Sequence, residues 1–268
     1  MNKYFYNIKF ILWYTIINTY AVQKNYFFSI VTVVKNREST IEKTIKSVAN
    51  QTFKNFEHII IDGGSSDNTL KKVYKHKKNF SKIISEKDKG IYDAFNKGMK
   101  LSNGEFICIV NCGDTLRKNA LKLIFSYIKK YNDLDFIFGS VKKHWGIVHG
   151  YEPKKIYYSW GFYSSHSTGF FIKNSSAKKV GLYNIKYKYH ADYDYFFRMI
   201  VKKKMKGIAT KKYELTGDFE RGGFSSRSPY KKMFIEELLI RYNNKQNVVL
   251  ILFIALYKII KHFKKIIK

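Results

Sequence analysis

The chain is short of cysteine. Cys108 and Cys112 are the only two in 268 residues, too few for a disulfide framework or a cysteine-rich zinc site. They flank the end of a predicted strand, and buried thiols in a reducing compartment are the expectation. Acids are scarce too: 20 Asp and Glu stand against 50 Lys and Arg, for a net charge of +30. That scarcity makes each Asp at a strand end worth weighing. There is no run of 18 uninterrupted apolar residues, so no membrane-spanning helix is expected. Residues 1–27 are apolar and aromatic, but Lys9 interrupts them and no small-residue cleavage site follows. Internal repeats and nucleic-acid motifs are absent. So is a Gly-x-Gly-x-x-Gly after the first strand, which argues against a dinucleotide-dependent dehydrogenase.

What is present suits a folded domain. Hydrophobic residues make up 45%, enough for a buried core. The positive excess points to anionic partners, whether nucleic acid, phosphate-bearing substrates or an acidic membrane. Nearly all of it is Lys, accompanied by much Asn, Ile, Tyr and Phe, a composition that an AT-rich genome also produces.

From Phe28 the pattern alternates strand and helix. Phe28–Val34 reads as a buried strand. Ser39 and Glu42 form a capping box before a helix with Ile41, Ile45, Val48 and Ala49 on one face. Strands follow at His58–Ile61, Ile83–Ser85, Glu105–Val110 and Asp135–Phe138. Helices marked by Leu70, Val73 and Tyr74, by Ile91, Phe95 and Met99, and by Ala120 to Ile128 lie between them. Such alternation implies βαβ units and a mostly parallel sheet flanked by helices. Beyond it, Lys142–Ser165 is aromatic with little periodicity. A helix is expected over Ala191–Lys204, a strand over Gly207–Tyr213 and a loop over Thr216–Ser226. The expected divisions are an N-terminal extension at 1–27, an α/β domain at 28–226 and a helical basic tail at 227–268. Within the domain the halves meet near residues 140 and 141.

Ligands of open α/β sheets bind beyond the carboxyl ends of the strands, where Asp62 and Asp114 both fall. Asp62 is followed by Gly63-Gly64-Ser65-Ser66-Asp67, which permits close approach of a polar ligand or makes a helix-capping turn. Asp114 ends Asn111-Cys112-Gly113-Asp114, one acid past an apolar strand. A hard divalent ion takes one or two such carboxylates; helix capping is the plain alternative. The run Ser85–Gly98 leads into a helix N-terminus that favours a diphosphate or is simply solvated. Asp192 and Asp194 stand two apart, so on a helix they point in different directions, and Asp194 can pair with Arg198. Spacing alone does not identify either as catalytic.

Taken in order, Thr32–Asn36, Ser47-Val48-x-x-Gln51-Thr52-Phe53, Ile60–Asp67, Asp88–Gly98, Asn111–Asp114 and Asp192–Arg198 resemble the family 2 glycosyltransferases over residues 28 to 225. The resemblance implies a GT-A, Rossmann-like α/β fold with a donor half at about 28–140 and an acceptor half at about 141–226. It implies an inverting hexosyltransferase that uses a nucleoside-diphosphate sugar, UDP by expectation, and Mn²⁺ or Mg²⁺. Asp62 then contacts the nucleoside and Thr32 lies beside the base, while Lys89 and Asn96 line the donor pocket. Asp114 becomes the metal ligand and Asp192 the general base. Three positions depart from the family pattern: Gly63 replaces a second Asp, the Asn111–Asp114 motif has one acid, and Ala191 replaces a Glu.

The acceptor side is expected to involve the aromatic Trp145–Tyr163 segment, His166 and the loop from Arg221 to Ser225. Val248–Lys268 mixes apolar residues with Lys258, Lys261, Lys264, Lys265 and Lys268. Their spacing suits an interfacial helix on anionic lipid, or a packing helix with a basic edge. By the resemblance, the acceptor is a polyprenyl-diphosphate-linked saccharide for surface polysaccharide. The site of action is then the inner face of a bacterial cytoplasmic membrane. A nucleotidyltransferase and a basic nucleic-acid-binding protein are the rival readings.

Overall fold

A computed structural model describes residues 25–158, 167–222 and 228–267. His166, most of the 1–27 extension and the Gly223–Ser225 part of the glycine loop lie outside the described residues.

Along the chain, β1 (Phe28–Val34) and α1 (Ile41–Ala49) are followed by β2 (Phe56–Asp62) and α2 (Thr69–Lys75). Next come β3 (Lys82–Ser85), α3 (Ile91–Leu101) and β4 (Phe106–Asn111). The short β5 (Thr115–Leu116) precedes α4 (Ala120–Lys130), β6 (Phe136–Phe138), β7 (Ser140–Lys143) and β8 (Gly146–Val148). Then follow β9 (Phe170–Lys173), α5 (Asn174–Val180), α6 (Ala191–Phe197), β10 (Gly207–Ala209) and β11 (Leu215–Asp218). The helices α7 (Tyr230–Asn243) and α8 (Val248–Ile267) come last.

All seven residues of β1 are buried, because the strand is covered on both faces. Phe28 and Ile30 pack with Phe106, Leu121 and Ile124 on one side. Val31 and Val33 pack with Ile59, Ile61, Phe95 and Met99 on the other. This two-sided burial explains a run with no polar alternation. Gly98 lets α3 close on the sheet, since a Cβ there would overlap Val31.

The main sheet has seven strands in the order β10-β6-β9-β4-β1-β2-β3. β1 pairs parallel with β2 and β4, β2 with β3, and β10 with β6. The mostly parallel expectation therefore holds. β9 alone runs against its neighbours β4 and β6. From β1 the chain goes outward through β2 and β3, then returns to β4 on the other side of β1. That reversal opens a crevice past the carboxyl ends of β1 and β4.

Several local expectations need correction. No side-chain cap bond starts α1, whose N-cap is Thr40. Glu42 instead meets His76 at 3.2 Å and Lys72 at 3.9 Å, so tertiary charge partners outcompete the local box. Helix α6 ends at Phe197 and continues to Lys202 as a π-turn. Part of the expected loop from Thr216 is strand β11, in a second sheet ordered β5-β11-β7-β8. Lys258 does not share a solvent-facing basic stripe. It is buried and binds Glu237 of α7 at 2.6 Å. Lys261 and Lys264 are exposed as expected, but most of the outward surface of α8 is apolar, with Val249, Leu252, Phe253, Leu256, Ile260 and Phe263 exposed. Among the described residues no helix is long and apolar enough to cross a membrane.

Candidate active site

A cavity of about 1210 Å³ occupies the crevice. It exceeds the roughly 300–1,000 Å³ of an ordinary small-ligand pocket, so two substrates can share it. Val33, Val34 and Lys35 at the end of β1 and Asn111, Cys112 and Asp114 past β4 form its floor. α3 contributes Tyr92 and Phe95, and α6 contributes Asp192. Lys143 and Glu220 reach in from the second sheet.

Asp114 is almost fully buried. Its Oδ2 accepts from the Thr168 hydroxyl at 2.6 Å, and its Oδ1 from the Glu220 N–H at 2.9 Å. Burial nevertheless pushes its pKa up to about 6. Gly113 beside it has φ +102, and a Cβ there would overlap the Glu220 carboxylate. Only glycine combines that backbone with that contact. Glu220 in turn pairs with Arg37.

Asp192 opens α6. Its Oδ1 accepts the Tyr193 N–H at 2.9 Å and lies 3.3 Å from the Tyr92 hydroxyl. Burial raises its pKa as well. Lys143 sits in the field of both acids, while its own burial lowers its pKa. Asp194 points elsewhere: it is buried, accepts Arg198 Nε at 2.9 Å and Asn244 Nδ2 at 2.9 Å. The Arg198 partner expected from i,i+4 spacing is thus present.

Other candidate residues are placed differently. Thr32 is fully buried and bonded to His58 Nε2 at 2.9 Å, and it does not line the cavity. Asn96 is also buried, with its amide clamped to both backbone groups of Tyr183. Asp62 is fully buried and does not line the cavity, so the expected direct contact with the nucleoside is not formed by this arrangement. Its carboxylate takes the Ser65 N–H at 3.0 Å, the Ser65 hydroxyl and the Ser85 hydroxyl at 2.7 Å. Direct donor contact does not fit the burial of Thr32 and Asn96, which brace the wall from behind. Lys89 is exposed, beside the lining residues Asp88 and Gly90, and Arg221 lines the cavity. Sequence reasoning missed Arg37, Lys143 and Glu220, because their approach depends on the second sheet and on long-range pairing. Burial raises the thiol pKa of Cys112 to about 11 and that of Cys108 further, which disfavours the thiolate at both.

The oxygen donors around Asp114 suit a hard divalent ion. Asn111 Oδ1 is buried without a hydrogen-bond partner among the described residues. A carboxylate and an amide oxygen leave most of a shell to phosphate and water. Among the described residues no group of three or more His, Cys, Asp or Glu side chains could hold a metal ion.

A GT-A glycosyltransferase is the class that this sheet, its crevice and its two acids define. The chain belongs to glycosyl transferase family 2, whose family model matches residues 29–207. A PGL/p-HBAD biosynthesis glycosyltransferase of Mycobacterium bovis is 26% identical over 180 residues, 64% of this chain and 68% of that protein. The Escherichia coli UDP-Glc:alpha-D-GlcNAc-diphosphoundecaprenol beta-1,3-glucosyltransferase WfgD is 34% identical over 117 residues. That match covers 43% of this chain and 46% of WfgD. S. aureus TarS 1–349, solved in complex with UDP-GlcNAc, shares the fold at TM-score 0.64 and 17% identity. It aligns over 88% of this chain and 72% of that one. Family membership sets aside the nucleic-acid-binding and nucleotidyltransferase readings.

Proposed function

We propose that this enzyme transfers a sugar, with inversion, from a UDP-sugar to a hydroxyl of a polyprenyl-diphosphate-linked saccharide. The observation that carries the reading is the placement of two buried, charge-resisting acids, Asp114 and Asp192, on one large crevice at the sheet's switch point. The donor and acceptor named for WfgD and the UDP-GlcNAc bound to TarS support the substrate class.

In this reading the nucleoside lies over β1, on a floor that Asp62 stiffens through its serine bonds. Lys89 and Arg37 flank the diphosphate. Asp114 and Asn111 would hold Mn²⁺ or Mg²⁺ together with diphosphate oxygens. The ion, when bound, supplies positive charge against the departing diphosphate. Asp192 accepts the proton of the attacking hydroxyl; burial makes it a stronger base than an exposed carboxylate. Its Oδ1 is held by the Tyr193 N–H and the Tyr92 hydroxyl, which fixes the carboxylate in the crevice. Holding both substrates in one crevice removes much of the entropic barrier. Arg221, and His166 by sequence position, belong to the acceptor end. The apolar face of α8 rests on the membrane that carries the acceptor, with Lys261 and Lys264 at its edge.

The test is UDP release, with and without Mn²⁺, from UDP-glucose, UDP-galactose and UDP-N-acetylglucosamine. Metal-dependent release from at least one is expected, falling roughly 100-fold or more in Asp192→Asn while UDP affinity is kept. Unchanged turnover in that variant contradicts Asp192 as base.

A further inference from the structure

The family match ends at residue 207, yet α7 makes an unusual contact with the active site. One carboxylate, that of Glu236, accepts three consecutive backbone N–H groups. Oε2 takes that of Lys188 at 2.7 Å, and Oε1 takes those of Tyr189 at 2.6 Å and His190 at 2.7 Å. Successive N–H groups converging on one point form an anion-binding nest, and charge-assisted bonds to it are the strong kind. The segment so held lines the cavity and runs directly into Asp192.

The same segment is tied from the other side. The Tyr92 hydroxyl lies 3.1 Å from the Tyr189 carbonyl oxygen and 3.3 Å from Asp192 Oδ1. Further along α7, Arg241 binds Glu237, the Tyr157 carbonyl and Gln246. Gln246 in turn donates to the Tyr193 hydroxyl at 2.9 Å. Glu236 is therefore one end of a clamp that fixes the first turn of α6 to the C-terminal helices.

We infer that Glu236 is a positioning residue: its carboxylate fills the nest at 188–190 and thereby sets where Asp192 meets the acceptor oxygen. The inference rests on Asp192 as the base. A shift of about 1 Å in such a group costs up to roughly 100-fold in rate.

The experiment uses the full chain and the UDP-sugar that turns over fastest among the three named above, with water as acceptor. Glu236→Ala is expected to lower kcat roughly 10- to 100-fold with the donor KM and UDP affinity little changed. Added formate, small enough to enter the emptied nest, should restore kcat and raise the melting temperature of Glu236→Ala but not of the unaltered protein. Glu236→Gln, which keeps one acceptor oxygen, should fall between. Unchanged kcat in Glu236→Ala overturns the inference. So does formate that raises the melting temperature without restoring the rate, because the nest is then structural only. Asp192→Asn runs alongside: if it turns over normally, the base assignment fails, whereas loss there with a normal Glu236→Ala rejects the positioning role alone.

Discussion

Asp114 carries a charge that its surroundings resist. Almost complete burial outweighs the bonds from Thr168 and Glu220, and the pKa rises from 3.8 to about 6. The folded state therefore keeps its proton to higher pH than the unfolded chain does. Stability from this group is full below about 4 and is lost as the pH rises through about 6. Asp114→Asn does not titrate, so the stability difference between unaltered protein and variant should fall over that window and stay level above it. Urea unfolding at a series of pH values checks this; a flat difference contradicts a buried, resisted charge. The residue scale is also where sequence reading was most uneven. Asp114 stood out because it follows an apolar strand with few other acids nearby, whereas Asp192, with Asp194 two residues on, was singled out only by the family resemblance. Thr32 and Asn96 share motif positions but face a strand and a loop, a distinction that only packing reveals. Lys143 and Glu220 had no local signal at all, since their role comes from contacts across the fold.

At the scale of elements, periodicity revealed the helices of the first half because each buries one stripe, and apolar runs revealed its central strands because both their faces are covered. β9 escaped notice, as four residues running straight into a helix give too little pattern to read. The helix after Ala191 was legible, but not its π-turn. There the Arg198 guanidinium donates to the Val180 and Leu182 carbonyls at 2.6 and 2.8 Å. Helix α8 shows a different limit. Spacing placed its lysines on a common side but could not say which side faces inward. Lys258, whose pKa burial lowers to about 8, turns toward Glu237, and α8 is kinked at His262. What remains outward is an apolar stripe. A membrane contact through that stripe is testable: Leu252→Glu with Leu256→Glu should reduce co-sedimentation with anionic phosphatidylglycerol vesicles at least about 10-fold, each buried leucine counting for roughly 1.5–3 kcal/mol. If the unaltered protein shows no vesicle binding, or a dimer dissociated by the same changes, the stripe serves another partner.

For the whole molecule, topology does most of the explaining. The chain reverses about β1, so the crevice at the carboxyl ends of the strands gathers residues from both halves. The second sheet brings Lys143 and Glu220 to it, and α6 brings Asp192. The C-terminal pair α7 and α8 holds α6 from behind while presenting its own apolar face outward. A net charge of +30 favours anionic partners, and the diphosphates of the proposed donor and acceptor are of that kind. The most direct test of this arrangement is calorimetric titration of UDP with and without Mn²⁺, on the unaltered protein and on Asp114→Asn. The account predicts that Mn²⁺ tightens UDP binding at least about 10-fold in the unaltered protein and has little effect in the variant. Binding of UDP that is equally tight with and without the ion, or an equal Mn²⁺ effect in both proteins, would contradict it.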